Sequence, residues 1–217
     1  MIDAYFFDLD GTLVDTEILW VEATEMLAKD MGHPLSHETA LRLVYGISWP
    51  GVYEGLLKEI PGIDWTLDQM GDILAPYFLQ LRDSRDVRIL SSIKLLKTLA
   101  KEHPVAIVSG SYCTDVKAAI DLMDIMPYLR FYLGHEDYHP GKPDPACYLA
   151  AAAKMGVSPK NCVVFEDSTA GLTAGIDAGM YAVALSRPGR PAQDYSRAHL
   201  ILEDLADYHP SRLICAH

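Results

Sequence analysis

Two aspartates follow a short apolar run near the beginning of the chain, in the segment DLDGT at residues 8–12. On a loop that leaves a buried strand, carboxylates two residues apart would both reach the same site. Asp8 and Asp10 are therefore the first candidates for chemistry. Asp and Gly are also ordinary turn residues, so this segment alone is equally compatible with a structural loop.

Three further polar segments each follow an apolar run: SGS at residues 109–111, GKPDP at 141–145 and EDS at 166–168. A serine hydroxyl beside a glycine and a helix N-terminus can bind a phosphate oxygen. A lysine between Gly and Pro could extend toward the carboxylates. Each segment also has a plain structural interpretation, as a helix cap, a turn or a solvated lysine.

The four segments are more informative together than singly. Carboxylates gathered at one place repel each other unless a cation lies among them, and oxygen ligands of this kind suit Mg²⁺. A lysine beside carboxylates and a metal is suited to phosphoryl transfer. The set therefore predicts a magnesium-dependent phosphoryl-transfer site.

The elements that must position these residues follow from the apolar pattern. Short apolar runs that suit buried strands alternate with segments of helical periodicity. The runs are 4–7, 105–108, 131–133, 163–165 and 181–185. This alternation predicts an α/β fold with a parallel, Rossmann-like sheet and helices on both faces, in which ligands bind beyond the carboxyl ends of the strands.

Residues 16–84 contain helical patterns only and are predicted to be a helical domain inserted into the α/β core, which comprises residues 1–15 and 85–217. Ser36 and Ser48 are predicted helix N-caps, and Thr66 with Gln69 matches a capping box. The acidic segment from Glu203 onward is predicted to be a terminal helix.

Composition excludes several classes of protein. The chain has 217 residues with 18 Lys+Arg against 30 Asp+Glu, a formal charge of −12. Such a surface repels phosphate backbones and anionic lipid, so we expect neither a general nucleic-acid partner nor a membrane partner. The four cysteines form no C-x-x-C pair, and the acidic N-terminal residues do not resemble a signal peptide. We therefore expect a cytoplasmic protein with reduced thiols.

With these residues in view, the sequence resembles the haloacid dehalogenase-like superfamily, in the phosphatase and phosphomutase branch that carries a small helical cap. The resemblance covers essentially the whole chain. It rests on DLDGT, on Ser109, on GKPDP around Lys142 and on FEDSTAG at residues 165–171.

The resemblance implies a role for each residue. Asp8 resembles the nucleophile that becomes an aspartyl phosphate, and Asp10 resembles the general acid and base. Ser109 would hydrogen-bond a phosphoryl oxygen, and Lys142 would steady Asp8. The implied ligands of Mg²⁺ are the Asp8 side chain, the Asp10 carbonyl oxygen and Asp167, with Glu166 beside the ion or in its outer shell.

Contacts to the substrate are also expected. The implied substrate is a small phosphorylated metabolite, and the expected substrate contacts are Thr12, Gly110, Ser48 and Trp49. The loop 46–51 of the helical domain would face the core site, and Trp49 could stack on a sugar ring. Aromatic packing within the cap is the alternative interpretation for Trp49. A monomer is expected.

Three functions stay open at this point, with a sugar-phosphate phosphatase favoured. Asp10 disfavours dehalogenation and cleavage of a carbon–phosphorus bond, since the members of the family that catalyse these reactions lack the second acid. A phosphosugar mutase similar to β-phosphoglucomutase is the main alternative. Such mutases carry a histidine where this chain has Trp20, and an arginine where it has Trp49. A non-catalytic binding protein on the same scaffold is the third possibility.

Overall fold

The computed structural model describes residues 2–47 and 49–210 of the chain. These residues divide into two compact units: one comprises the chain up to Val14 and from Arg88 onward, and the other is Asp15–Val87. The second unit interrupts the first at Asp15, shortly after the DLDGT segment. None of the described helices is both long and apolar enough to cross a membrane.

The first unit is built on a parallel sheet of six strands in the order β3-β2-β1-β4-β5-β6. The strands are β1 (Ala4–Phe7), β2 (Val105–Val108), β3 (Phe131–Leu133), β4 (Cys162–Glu166), β5 (Tyr181–Leu185) and β6 (Leu200–Leu202). The first five lie where the apolar runs predicted them. The sixth was not predicted.

Eight α-helices lie in the described part of the chain. They are α1 (Glu17–Asp30), α2 (His37–Val44), α3 (Trp49–Glu59), α4 (Leu67–Ser84), α5 (Leu90–Leu99), α6 (Cys113–Met123), α7 (Ala146–Met155) and α8 (Thr169–Asp177). Helices α1 to α4 belong to the second unit, and α5 to α8 connect the strands of the first.

Both faces of the sheet are covered, which confirms the predicted α/β class. Along β1, Tyr5 and Phe7 enter one apolar cluster, and Ala4 and Phe6 enter another on the opposite face. A strand buried on both faces appears in the sequence as a continuous apolar run, as β1 does. Strand β1 lies between β2 and β4, so the residues that follow it meet those that follow both neighbours.

The unit Asp15–Val87 has its own apolar core, formed by α1 to α4. Helix α2 begins as predicted, with the Ser36 side chain accepting a hydrogen bond from the Thr39 N–H. Helix α4 begins with the predicted capping box, in which the Thr66 N–H donates to the Gln69 side chain at 2.9 Å. Ser48, the other predicted cap, lies outside the described residues.

The predicted terminal helix is wrong for the described residues after Glu203. The chain there makes one 3₁₀ turn at Leu205–Asp207, whose Leu205 is buried in the core of the first unit. Asp204 provides the cap of that turn, since its carboxylate accepts from the Ala206 N–H at 2.8 Å. Two acids at the start of a segment are compatible with either structure, and tertiary burial of Leu205 favours the turn.

Candidate active site

The carboxyl end of β1 meets the loop before α7 through an ion pair. The Lys142 ammonium lies 2.5 Å from Asp8 Oδ1 and 2.6 Å from Glu166 Oε1, and it also donates to the Val108 carbonyl oxygen at 3.2 Å. Residues from three strand ends therefore meet at one lysine. Lys142 is not a solvated surface residue, since its side chain is only 11% exposed.

Burial governs the protonation of this cluster. Desolvation, and then the charge of Glu166, raise the pKa of Asp8 well above its usual range, against the opposing effect of Lys142. Desolvation would lower the pKa of Lys142, but Asp8 and Glu166 outweigh it and raise that pKa. The ammonium is therefore firmly protonated, whereas the charged form of Asp8 is disfavoured as long as no further positive charge lies beside it.

A cluster of three acids could hold a metal ion. Carboxylate oxygens of Asp8, Glu166 and Asp167 all lie within 4.8 Å of one another. When all three acids are ionised, the single ammonium of Lys142 leaves two negative charges, which one divalent cation would balance. All donors are oxygen atoms, as hard divalent cations prefer, so the residues present fit such an ion.

Gly11 makes room for this cluster. Its φ is +81°, and a Cβ added there would lie 1.8 Å from Asp167 Oδ2. The left-handed backbone and the close approach both require glycine. The glycine of DLDGT thus brings the loops after β1 and β4 together.

Glu166 is the most enclosed acid of the site. It is fully buried, and Tyr148 on α7 donates a hydrogen bond to its Oε1 at 2.7 Å. Ser168 donates to Oε2 at 3.1 Å. Tyr148 was missed by sequence reasoning, because within an Ala-rich apolar helix it resembles any other core residue.

Asp10 contacts a different set of groups. Its Oδ2 accepts a hydrogen bond from the Ser111 hydroxyl at 2.7 Å, and the Ser109 hydroxyl lies 3.4 Å away. Ser111 belongs to the SGS segment at residues 109–111, but the sequence analysis gave a role only to Ser109. The structure thus groups Ser109 with Asp10, as strand-end convergence predicted, and adds Ser111.

The loop after β5 supports the acidic segment from the other side. The Tyr195 hydroxyl donates to the Asp167 carbonyl oxygen at 2.5 Å. Gln193 accepts from both the N–H and the hydroxyl of Thr169, at 2.9 and 2.8 Å. This loop carries no motif that sequence analysis recognised, so these contacts were not predicted.

The expected substrate contacts differ in their surroundings. Thr12 is fully buried, and its hydroxyl has no hydrogen-bond partner among the described residues. A Cβ added at Gly110 would meet nothing within 4 Å, so packing does not require glycine there. Ser48 lies outside the described residues. Roles for these three in substrate binding remain predictions.

Trp49 lies in the other unit and packs within it. Its ring makes an edge contact with Trp20 at 5.2 Å, and Trp20 in turn stacks on Phe78 at 4.1 Å. These contacts of Trp49 agree with the alternative interpretation, aromatic packing within the helical unit. A role in substrate binding remains a prediction.

Comparison with known proteins identifies the class. The family model of haloacid dehalogenase-like hydrolases matches residues 2–179, and the chain belongs to that family. The chain is similar to a probable pseudouridine-5'-phosphatase of Drosophila melanogaster, with 30% identity covering 95% of this chain and 91% of the relative. It is also similar to the 6-phosphogluconate phosphatase of Escherichia coli strain K12, with 29% identity covering 82% of this chain and 80% of the relative.

A solved structure agrees with the fold. The crystal structure of a family hydrolase from Deinococcus radiodurans, with bound phosphate and sodium, has a TM-score of 0.74 and 28% identity. The similarity covers 93% of this chain and 90% of that protein. The expected resemblance to the family is thereby confirmed along most of the chain.

Proposed function

We propose that this protein is a phosphatase that hydrolyses a small phosphate monoester of the sugar-phosphate class through a covalent intermediate on Asp8. One observation carries the proposal: Lys142 joins Asp8 to Glu166 within hydrogen-bond distance, beside the third carboxylate of Asp167. The names of the two relatives, phosphatases of a phosphorylated sugar acid and of a nucleotide, support the substrate class.

In the first step, an Asp8 carboxylate oxygen attacks phosphorus while the bond to the leaving oxygen breaks. Asp10 gives its proton to that oxygen, and the alcohol departs. Lys142 holds Asp8 and offsets negative charge on the transferring group. Ser109 donates a hydrogen bond to a phosphoryl oxygen.

In the second step, Asp10 accepts a proton from water as the water oxygen attacks phosphorus. The bond between phosphorus and Asp8 breaks, which frees inorganic phosphate and restores the carboxylate. Splitting one displacement into two lowers each barrier.

Asp8, Asp167 and the Asp10 carbonyl oxygen would hold Mg²⁺, with Glu166 beside it. When bound, this ion would neutralise charge on the phosphoryl group and orient it. The helical domain, residues 16–84, is proposed to act as the cap that selects the leaving group, with Ser48 and Trp49 among its substrate contacts. Thr12 and Gly110 would contact the phosphoryl group. A cytoplasmic monomer is part of the same proposal.

The test is release of inorganic phosphate at neutral pH from a panel of phosphorylated metabolites with Mg²⁺. Asp8→Asn should abolish release, because the amide cannot form the intermediate. Asp121→Asn makes the same chemical change at a surface ion pair with Lys117 on α6, and should leave release unchanged. Isomerised sugar phosphate without free phosphate would favour the mutase alternative, and tight ligand binding without turnover would favour a binding protein.

A further inference from the structure

The carboxylate of Asp10 is held by the loop that follows β2. Ser111 Oγ lies 2.7 Å from Asp10 Oδ2, a much closer contact than the 3.4 Å from Ser109 Oγ. The Ser111 hydroxyl is the donor, since an oxygen of the Asp10 carboxyl group that carries no proton can only accept. The two residues are 101 positions apart in the chain, and the sheet brings them together.

Ser111 also holds the side chain of Ser109. Its backbone N–H donates to Ser109 Oγ at 3.0 Å. The backbone of Ser111 thus orders the predicted phosphate ligand, while its side chain orders Asp10. Because the hydroxyl of Ser111 is committed to Asp10, substitution of that hydroxyl should disturb Asp10 and leave the contact to Ser109 in place.

An aspartate carboxyl group rotates easily about its last torsion, so without a partner its two oxygens exchange places. General acid catalysis needs one oxygen held toward the leaving group, since misplacement by about 1 Å can cost about a hundredfold in rate. A short hydrogen bond to a charged acceptor is strong enough to favour one orientation.

We propose that Ser111 is a positioning residue that holds Oδ2 of Asp10, so that Oδ1 exchanges the proton with the substrate. The inference rests on the proposed function. As the bond from phosphorus to the leaving oxygen breaks, its electron pair stays on that oxygen, and the proton on Oδ1 passes to it. The Ser111 hydrogen bond stays on Oδ2, and Ser111 neither gains nor loses a proton.

The test compares two leaving groups. A sugar phosphate has an alkoxide leaving group that needs a proton, whereas p-nitrophenyl phosphate releases a stable anion that does not. The constant kcat/KM is used because it covers the steps up to the first irreversible one, which include loss of the leaving group. Ser111→Ala should lower kcat/KM about tenfold for the sugar phosphate and by less than about threefold for p-nitrophenyl phosphate.

Three control variants separate positioning from a general structural effect. Ser111→Thr keeps a hydroxyl and should restore most of the activity on the sugar phosphate. In an Asp10→Asn background, assayed at raised enzyme concentration, Ser111→Ala should add less than about a twofold loss, since the group it positions is already gone. Ser91→Ala on α5 makes the same chemical change away from this loop and should change neither constant.

Equal losses on both substrates, or no loss on either, would overturn the role of Ser111 while phosphatase activity stands. A full tenfold loss in the Asp10→Asn background would overturn it as well. No phosphate release by the wild-type protein from either ester would overturn the proposed function, and this inference with it. Thermal unfolding checks that Ser111→Ala is folded under the assay conditions, and the ratio of its losses on the two esters decides the role, because partial unfolding would lower activity on both equally.

Discussion

The backbone of Gly171 lies directly against the carboxylate of Glu166. A Cβ added at Gly171 would lie 1.8 Å from Oε1, closer than any real contact. Gly171 is in the first turn of α8, where its N–H donates to Ser168 Oγ at 3.0 Å. Glycine is therefore required here by space and not by its backbone angles. Glu166 can be buried beside Lys142 only because position 171 of helix α8, which lies against it, carries no side chain.

Gly171→Ala should consequently destabilise the protein by about 1–3 kcal/mol through overpacking and displace Glu166, with a large fall in phosphatase activity. Urea unfolding and kcat/KM would measure the two effects. Gly71→Ala is the matched control: it lies within α4, and an added Cβ there meets nothing within 4 Å. Alanine is the better helix former, so this control should gain about 1 kcal/mol. Equal responses at the two positions would contradict the packing argument.

Tyr148→Phe removes the hydroxyl that donates to Glu166 Oε1. The acceptor is fully buried, and loss of a hydrogen bond to a charged group costs about 1.5–3 kcal/mol. We expect the free energy of unfolding to fall by that amount, and kcat/KM to fall a few-fold because Lys142 and Ser168 still hold Glu166. Tyr128→Phe serves as control, since that ring is exposed, and should change both by little. Unchanged stability in Tyr148→Phe would mean that the hydroxyl contributes nothing.

Lys142→Met should make stability strongly dependent on pH. Removal of the ammonium leaves Asp8 and Glu166 buried without their partner, which costs about 3–5 kcal/mol when both are ionised. The pKa of Asp8 is already raised by burial, so the folded variant binds more protons than the unfolded chain above the ordinary aspartate pKa. Its stability should therefore fall, relative to wild type, as pH rises above the ordinary aspartate pKa, with EDTA present.

Urea unfolding at several pH values measures this dependence. Lys117→Met removes the ammonium of an ion pair with Asp121 whose side chains are 48% and 56% exposed, and it should cost at most about 1 kcal/mol at any pH. A Lys142→Met variant with the flat pH profile of this control would show that Asp8 and Glu166 are not held as a buried, charged pair.

Removal of divalent metal should abolish activity, and Mg²⁺ should restore it. The three acids also predict a thermal stabilisation by Mg²⁺, because the ion binds only the folded site. At a hundred times the dissociation constant this would amount to about 2.7 kcal/mol. Asp167→Asn should weaken Mg²⁺ binding at least about tenfold by calorimetry, with Asp121→Asn as the surface control. Turnover that persists in EDTA would count against the metal assignment.

The central strands could be predicted because burial on both faces leaves an unmistakable apolar run. Strand β1 lies at the residues predicted from AYFF alone. Strand β6 was not predicted, and its middle residue, Ile201, is exposed at the edge of the sheet, so the strand lacks the burial on both faces that marks β1.

The acids of the site could be predicted because they directly follow apolar runs, and parallel strands bring such positions to one edge. Lys142 comes after a longer loop and was predicted from the GKPDP segment. The supporting partners of these residues could not be predicted. Tyr148 resembles a core aromatic, and Tyr195 lies in a loop without any motif. Both act through hydrogen bonds to residues far away in sequence, 18 positions for Tyr148 and 28 for Tyr195.

The sequence by itself determined the α/β class, the family and the acids, serine and lysine that meet at the carboxyl ends of the strands, since these depend on residue type and order along the chain. Only the tertiary structure decided which groups touch. Packing placed Lys142 between Asp8 and Glu166, turned Asp10 toward Ser111 and pressed Gly171 against Glu166. Such contacts form or fail with differences in distance of a few tenths of an ångström. Close packing sets these distances, and residue order alone does not.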